Sequence, residues 1–113
     1  MTLLRVAVTA FPMLPVSSAA TWSERFTSAC AFAKDGGAQL VVFPEYVTAP
    51  LLTLDRDWQR WTTTWLETAT AAARSLKLHV LAGTHLVDER GSLRNQPKAF
   101  PVLLVAACLQ FQP

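Results

Sequence analysis

The sequence has 113 residues, 51% of them hydrophobic, with 10 basic and 8 acidic side chains and a formal net charge of +2. That length and apolar content fit one domain with a core of ordinary size. The basic residues are scattered rather than clustered, which argues against a nucleic-acid or anionic-membrane surface. The two cysteines, Cys30 and Cys108, lie far apart and form neither a disulfide framework nor a metal-ligand spacing, so a reducing cytoplasm fits.

The N-terminal stretch is mostly apolar and runs into VSSAAT, which loosely imitates a signal-peptide cleavage site. Arg5 interrupts its start, and Pro12 and Pro15 break any hydrophobic helix there. The uncharged apolar stretches fall short of the ~18 to 20 residues that a membrane-spanning helix needs. A soluble, cytoplasmic protein is expected.

In chain order, LLRVAVTA within residues 3 to 10 has valines at alternate positions and reads as a first strand ending before Phe11 and Pro12. In TWSE, Thr21 is followed three residues later by Glu24, a capping-box pattern. Trp22, Phe26, Ala29, Cys30 and Ala33 then recur at helical spacing, which predicts a helix over residues 21 to 35. Asp35, Gly36 and Gly37 end it, the glycines being free to take a left-handed C-terminal cap.

LVVFPEYVT follows. Leu40, Val41, Val42 and Phe43 make a short continuous apolar run, the pattern of a strand buried on both faces. Pro44 cannot donate to a sheet ladder, so Glu45 emerges just past the carboxyl end of that strand. Open α/β folds bind their ligands there.

Asp55 or Asp57 can cap a second helix over residues 57 to 76, with an apolar stripe through Trp58, Trp61, Trp65, Leu66, Ala69, Ala72, Ala73 and Leu76. Three tryptophans on one stripe indicate a heavily packed face, either core or subunit contact. LHVLA at residues 78 to 82 is a third strand, and LVDERGSLRN reads as two strand edges joined by a polar turn from Asp88 to Gly91. Strand, helix, strand, helix, strand in this order predicts parallel strands joined by crossover helices, an α/β fold. After Asn95 the composition changes abruptly: AFPVLLVAACLQFQP contains no charged residue, and one strand, residues 102 to 107, is expected within it.

Glu45 is the leading candidate for chemistry. Among Phe43, Pro44, Tyr46 and Val47 its carboxylate is expected to be partly desolvated, which suits a general base; the alternative is a structural glutamate. Cys30 sits on the apolar stripe of the first helix and reads as a small buried hydrophobe. Cys108 follows a strand-like run, but no cation adjoins it to stabilise a thiolate. Lys98 reads as a solvated surface charge. His79 and His85 have no partner at metal-ligand spacing, so structural or surface roles are expected for both.

VVFPEYVTAPLL resembles the segment around the catalytic glutamate of the nitrilase superfamily, the carbon-nitrogen hydrolases. LRVAVTAFPM is similar to that family's first strand, and FAKDGGAQLVVFPE to its helix, glycine turn and second strand. LHVLAGTHLVDERGSLRN is similar to its third strand and hairpin, with Asn95 matching a recurrent asparagine. The resemblance covers residues 3 to about 95 and implies the N-terminal part of an αββα nitrilase-type sandwich. It also implies a Glu-Lys-Cys mechanism on a small amide or nitrile, with no cofactor and no metal. Cysteine would attack the amide or nitrile carbon, lysine would stabilise the intermediate, and glutamate would be the base.

Glu45 maps onto the base. The family's lysine and cysteine lie on later elements than this sequence reaches. Lys98 falls too early in that order, and CLQFQP after Cys108 lacks the acidic residue and arginine that follow the family's nucleophile. Residues 1 to 95 are therefore read as the N-terminal part of a hydrolase domain, and 96 to 113 as a divergent apolar tail arising from truncation or a frameshift. The chain alone is expected to be inactive, and it is expected to form a homo-oligomer or to aggregate. Two other readings stay open. One is a non-catalytic interaction module using the Trp58, Trp61 and Trp65 face, and the other a short thiol enzyme using Cys108 and Glu45.

Overall fold

A computed structural model describes residues 3–88 and 102–109, with side-chain surroundings through residue 85. The elements are β1 (Val6–Val8), α1 (Ala19–Asp35), β2 (Leu40–Val42), 3₁₀ turns at Ala49–Thr53 and Trp58–Trp61, α2 (Thr62–Leu76), β3 (His79–Asp88) and β4 (Val102–Leu109). The strands form one sheet in the order β1-β2-β3-β4. β1, β2 and β3 are mutually parallel, while β4 runs antiparallel to β3. The chain is thus mixed α/β, with three parallel strands and two α-helices as expected. The second edge of the expected hairpin at LVDERGSLRN lies outside the described residues.

Several local expectations shift. α1 starts earlier than Thr21, because Ser18 takes an extended backbone (φ −160°, ψ 161°) and its Oγ accepts from the Thr21 amide. At its other end Gly37 takes the left-handed conformation (φ 90°) and donates to the Lys34 carbonyl. Asp57 caps the Trp58–Trp61 turn by accepting from the Gln59 amide, and α2 follows from that turn without a side-chain cap of its own. α2 ends on Lys77 in the left-handed region (φ 55°), a position no glycine marks in the sequence.

The register separates the sheet into two faces. Ala7, Val41 and Val80 share one row and Val41 and Val80 are fully buried, because α1 and α2 pack side by side on that face. The helices are joined there by a Ser23 to Thr68 hydroxyl contact of 2.9 Å. Beneath α1 lies an aromatic cluster in which Phe26 stacks on Phe43 at 3.9 Å and Phe11 meets Trp22 and Phe43 edge-on. Such ring pairs add about 0.5 to 1.5 kcal/mol each beyond their buried area.

The opposite face carries Val6 and Val8 on β1, Leu40 and Val42 on β2, and Leu81 on β3. Val6 and Val8 are exposed, and Leu40, Val42 and Leu81 are half-buried. The apolar run of β2 is therefore covered on one face only among the described residues, not on both as its composition suggested. A run of valines and leucines reports that a strand is apolar, and cannot by itself report how many layers cover it.

Candidate functional site

β2 ends at Val42, and Phe43 stays attached to the sheet by donating to the Leu81 carbonyl at 2.9 Å. Pro44 then releases the chain into a turn over Glu45, Tyr46, Val47 and Thr48 at the carboxyl ends of the parallel strands. Glu45 is exposed at the head of this turn. The partly desolvated setting expected for it is not found, since the apolar neighbours in sequence turn away: Phe43 and Val47 are buried in the core. Among the described residues no arginine or lysine forms an ion pair with Glu45.

The turn is held from several sides. Tyr46 adopts the left-handed conformation (φ 54°), uncommon for a residue with a Cβ, and its amide donates to Thr84 Oγ1 at 2.8 Å. The buried Trp22 indole on α1 donates to the Val47 carbonyl at 3.0 Å. Thr48 and His85 are the buried polar residues of the described core, and Thr48 Oγ1 lies 2.6 Å from His85 Nδ1. His85 Nε2 lies 2.7 Å from the Trp58 carbonyl oxygen.

That carbonyl can only accept, so Nε2 carries the proton and Nδ1 accepts from the Thr48 hydroxyl. The imidazole is neutral in this arrangement, and burial pushes its pKa below the usual histidine value, against a smaller upward pull from the Trp58 carbonyl. His85 is thus a structural histidine that joins β3, the Glu45 turn and the Trp58–Trp61 turn.

Gly83 makes this meeting possible. Its φ of +79° accompanies a register irregularity between Leu81 and Thr84 in the β3–β4 ladder. Val80 and Ala82 face the core, and simple alternation would turn Thr84 inward next. The irregularity turns His85 inward instead and leaves Thr84 to reach the Tyr46 amide. A Cβ at Gly83 would collide with the Pro44 carbonyl and come within 3.0 Å of Val47, so the Glu45 turn packs directly onto glycine backbone.

Compared with known protein families, with curated proteins and with solved structures, the chain matches none.

The other sequence candidates fall elsewhere. Cys30 is fully buried on α1, and desolvation pushes its thiol up to about 12. Cys108 is the next-to-last residue of β4, its backbone opposite Leu81. His79 starts β3 and is half-buried on the uncovered face. Lys98 and Asn95 lie outside the described residues. Among the described residues no group of histidine, cysteine, aspartate or glutamate could hold a metal ion.

Two tryptophans of the stripe are core residues. Trp65 is 1% exposed and donates to the Ala82 carbonyl at 2.8 Å, while Trp61 is 9% exposed and donates to the Asp55 carbonyl at 3.1 Å. Trp58 is half-buried, and its indole nitrogen has no hydrogen-bond partner among the described residues, so of the three tryptophans named for an interaction face two, Trp61 and Trp65, are committed to the core. Sequence reasoning missed Thr48, Gly83 and Thr84, and it expected a structural or surface role for His85 without naming its partners. The one signal was the run Gly83, Thr84, His85 directly after a strand.

Proposed function

We propose that the chain supplies the glutamate-bearing part of a carbon-nitrogen hydrolase of the nitrilase type, acting on a small amide or nitrile. The observation that carries this reading is an exposed carboxylate, Glu45, on a turn braced by Trp22, Thr84 and the Thr48–His85 pair at the carboxyl ends of parallel strands. A general base must be held within hydrogen-bond reach of the proton it takes, and a braced turn costs less to position than a loose loop. In this reading Glu45 accepts the proton from an attacking thiol as it adds to the amide or nitrile carbon, and a cationic lysine stabilises the charge that develops. None of the 113 residues matches that lysine or that cysteine, so the reading assigns both to chain beyond them. The uncovered sheet face suits the stacking of a second sheet, as an αββα sandwich requires.

The reading is tested by grafting residues 3–95 in place of the matching part of an active nitrilase-type enzyme and measuring ammonia release from a panel of amides. The graft is expected to hydrolyse at least one amide, and Glu45→Gln in it to lower the rate by about 10² to 10⁴-fold with the fold intact. A folded graft that retains full turnover as Glu45→Gln would show the glutamate to be structural. A folded graft without activity on any amide or nitrile would remove the assignment.

A further inference from the structure

The outer edge of β1 is unpaired among the described residues, and beside it lies a groove of about 510 Å³ between β1 and the second half of α1. On β1 the Arg5 carbonyl and the Thr9 amide bond to β2. By the alternation of a strand, the amides and carbonyls of Val6 and Val8 then point to the free edge. The groove wall from α1 is Ala29, Phe32 and Ala33, and Phe32 is 84% exposed at the rim. Natural edge strands are blunted by shortness, proline, lysine, bulges or a covering element; β1 is short, at three residues, but Val6–Val8 carries no proline, lysine or bulge.

Arg5 lines one end of this groove, its guanidinium lying against the Gly37 backbone, and no carboxylate among the described residues pairs with it. We propose that the β1 edge and the β1–α1 groove form a strand-addition site for an extended apolar segment of a partner polypeptide, which pairs antiparallel to β1 and places a carboxylate at Arg5. Antiparallel addition brings the carboxyl-terminal end of the segment to Arg5, so the charge is carried there, by an acidic side chain or a terminal carboxylate. Antiparallel pairing at an edge of a parallel sheet is common, and β4 already shows it at the other edge. Apolar side chains at alternate positions of the segment enter the groove against Ala29 and Phe32.

A second copy of the chain is the weaker occupant. Paired antiparallel through its own β1, a copy brings the stretch around Thr9 and Ala10 to Arg5, and no acidic residue precedes Glu24 in the sequence, so Arg5 would stay without a carboxylate. The proposal is independent of the hydrolase reading and stands or falls without it.

The test uses the 113-residue chain and an acetylated hexapeptide of alternating threonine and valine with a free terminal carboxylate, its C-terminal amide, and a version N-methylated at alternate residues. At saturating free-acid peptide, hydrogen exchange at the Val6 and Val8 amides is expected to slow about tenfold or more, with Ala7, which faces β2, unchanged. The free acid is expected to bind about fivefold or more tighter than the amide, and Arg5→Gln to erase that preference. Phe32→Glu, at an exposed site that leaves the core alone, is expected to weaken binding about tenfold or more. Equal binding of the N-methylated peptide, or no slowing at Val6 and Val8 at millimolar peptide, would overturn strand addition. An unchanged preference for the free acid in Arg5→Gln would overturn the carboxylate assignment. Slowing at Val6 and Val8 that grows with protein concentration alone would place a second copy on the edge and overturn the assignment to a separate segment.

Discussion

Replacing His85 by leucine tests whether the buried imidazole is the brace that the geometry indicates. The substitution removes two hydrogen bonds, to Thr48 Oγ1 at 2.6 Å and to the Trp58 carbonyl at 2.7 Å, at a residue only 1% exposed. Each bond contributes about 0.5 to 1.5 kcal/mol net, and each buried partner left unsatisfied costs about 1 to 3 kcal/mol. These terms overlap, and leucine recovers part of the loss as apolar burial, so the expected destabilisation is about 2 to 4 kcal/mol. That is a large share of the roughly 5 to 15 kcal/mol that holds a typical domain folded.

The same residue makes stability depend on pH. His85 has its folded pKa depressed below the ordinary histidine value of 6.5, so the unfolded chain binds more protons than the folded one between the two values. The contribution of neutral His85 is fully present above about pH 6.5 and is lost as the pH falls below it toward the folded value. Urea unfolding followed by tryptophan fluorescence at pH 7.5 and 5.0 measures both effects. His85→Leu should be less stable than the parent at pH 7.5, and the gap should narrow at pH 5.0. A loss under about 1 kcal/mol at pH 7.5, or a gap that widens at low pH, would refute the reasoning.

Gly83→Ala should cost about 2 to 4 kcal/mol in urea unfolding, combining a side chain at positive φ with overpacking against the Pro44 carbonyl and Val47; a neutral result would mean that the β3 irregularity yields easily. In a Cys108→Ser variant, which leaves Cys30 as the sole thiol, a disulfide reagent at pH 8 should label the chain only as fast as it unfolds, because burial holds that thiol near 12. Rapid labelling in native buffer would contradict the burial. Ser18→Ala should lower stability by about 1 kcal/mol, whereas Thr21→Ala should cost less, as read from thermal midpoints.

The alternation of strands and helices was legible because each element carries its own period. Trp22, Phe26, Cys30 and Ala33 mark one face of α1, and all are buried. That the three strands run parallel then followed from the crossover helices between them. Boundaries were less legible. Thr21 and Glu24 made a plausible capping box, but Ser18 three residues earlier offered the same chemistry, and backbone geometry chose between them.

At the site, Glu45 could be located because Pro44 ends the ladder at a predictable place. Its supports could not, since Trp22, Thr84 and His85 come from distant parts of the chain. His85 in particular faces inward only because the strand loses register near Gly83, a backbone event that leaves no period to read. Trp58, Trp61 and Trp65 were read as one packed face, and the choice between core and interface needed knowledge of what lay across from them.

The bracing of the Glu45 turn has a consequence for how its geometry is lost. Its bonds run to Trp22 on α1, to Thr84 and His85 on β3, and through His85 to the Trp58 carbonyl. The Trp22 and His85 bonds cannot open without stranding buried polar groups, so the Val47 and Thr48 part of the turn shares the cooperativity of the core beneath it. On warming, the backbone of the turn at Val47 and Thr48 should persist unchanged and then vanish within the same transition that melts the sheet, with no earlier stage in which it has loosened and the core has not.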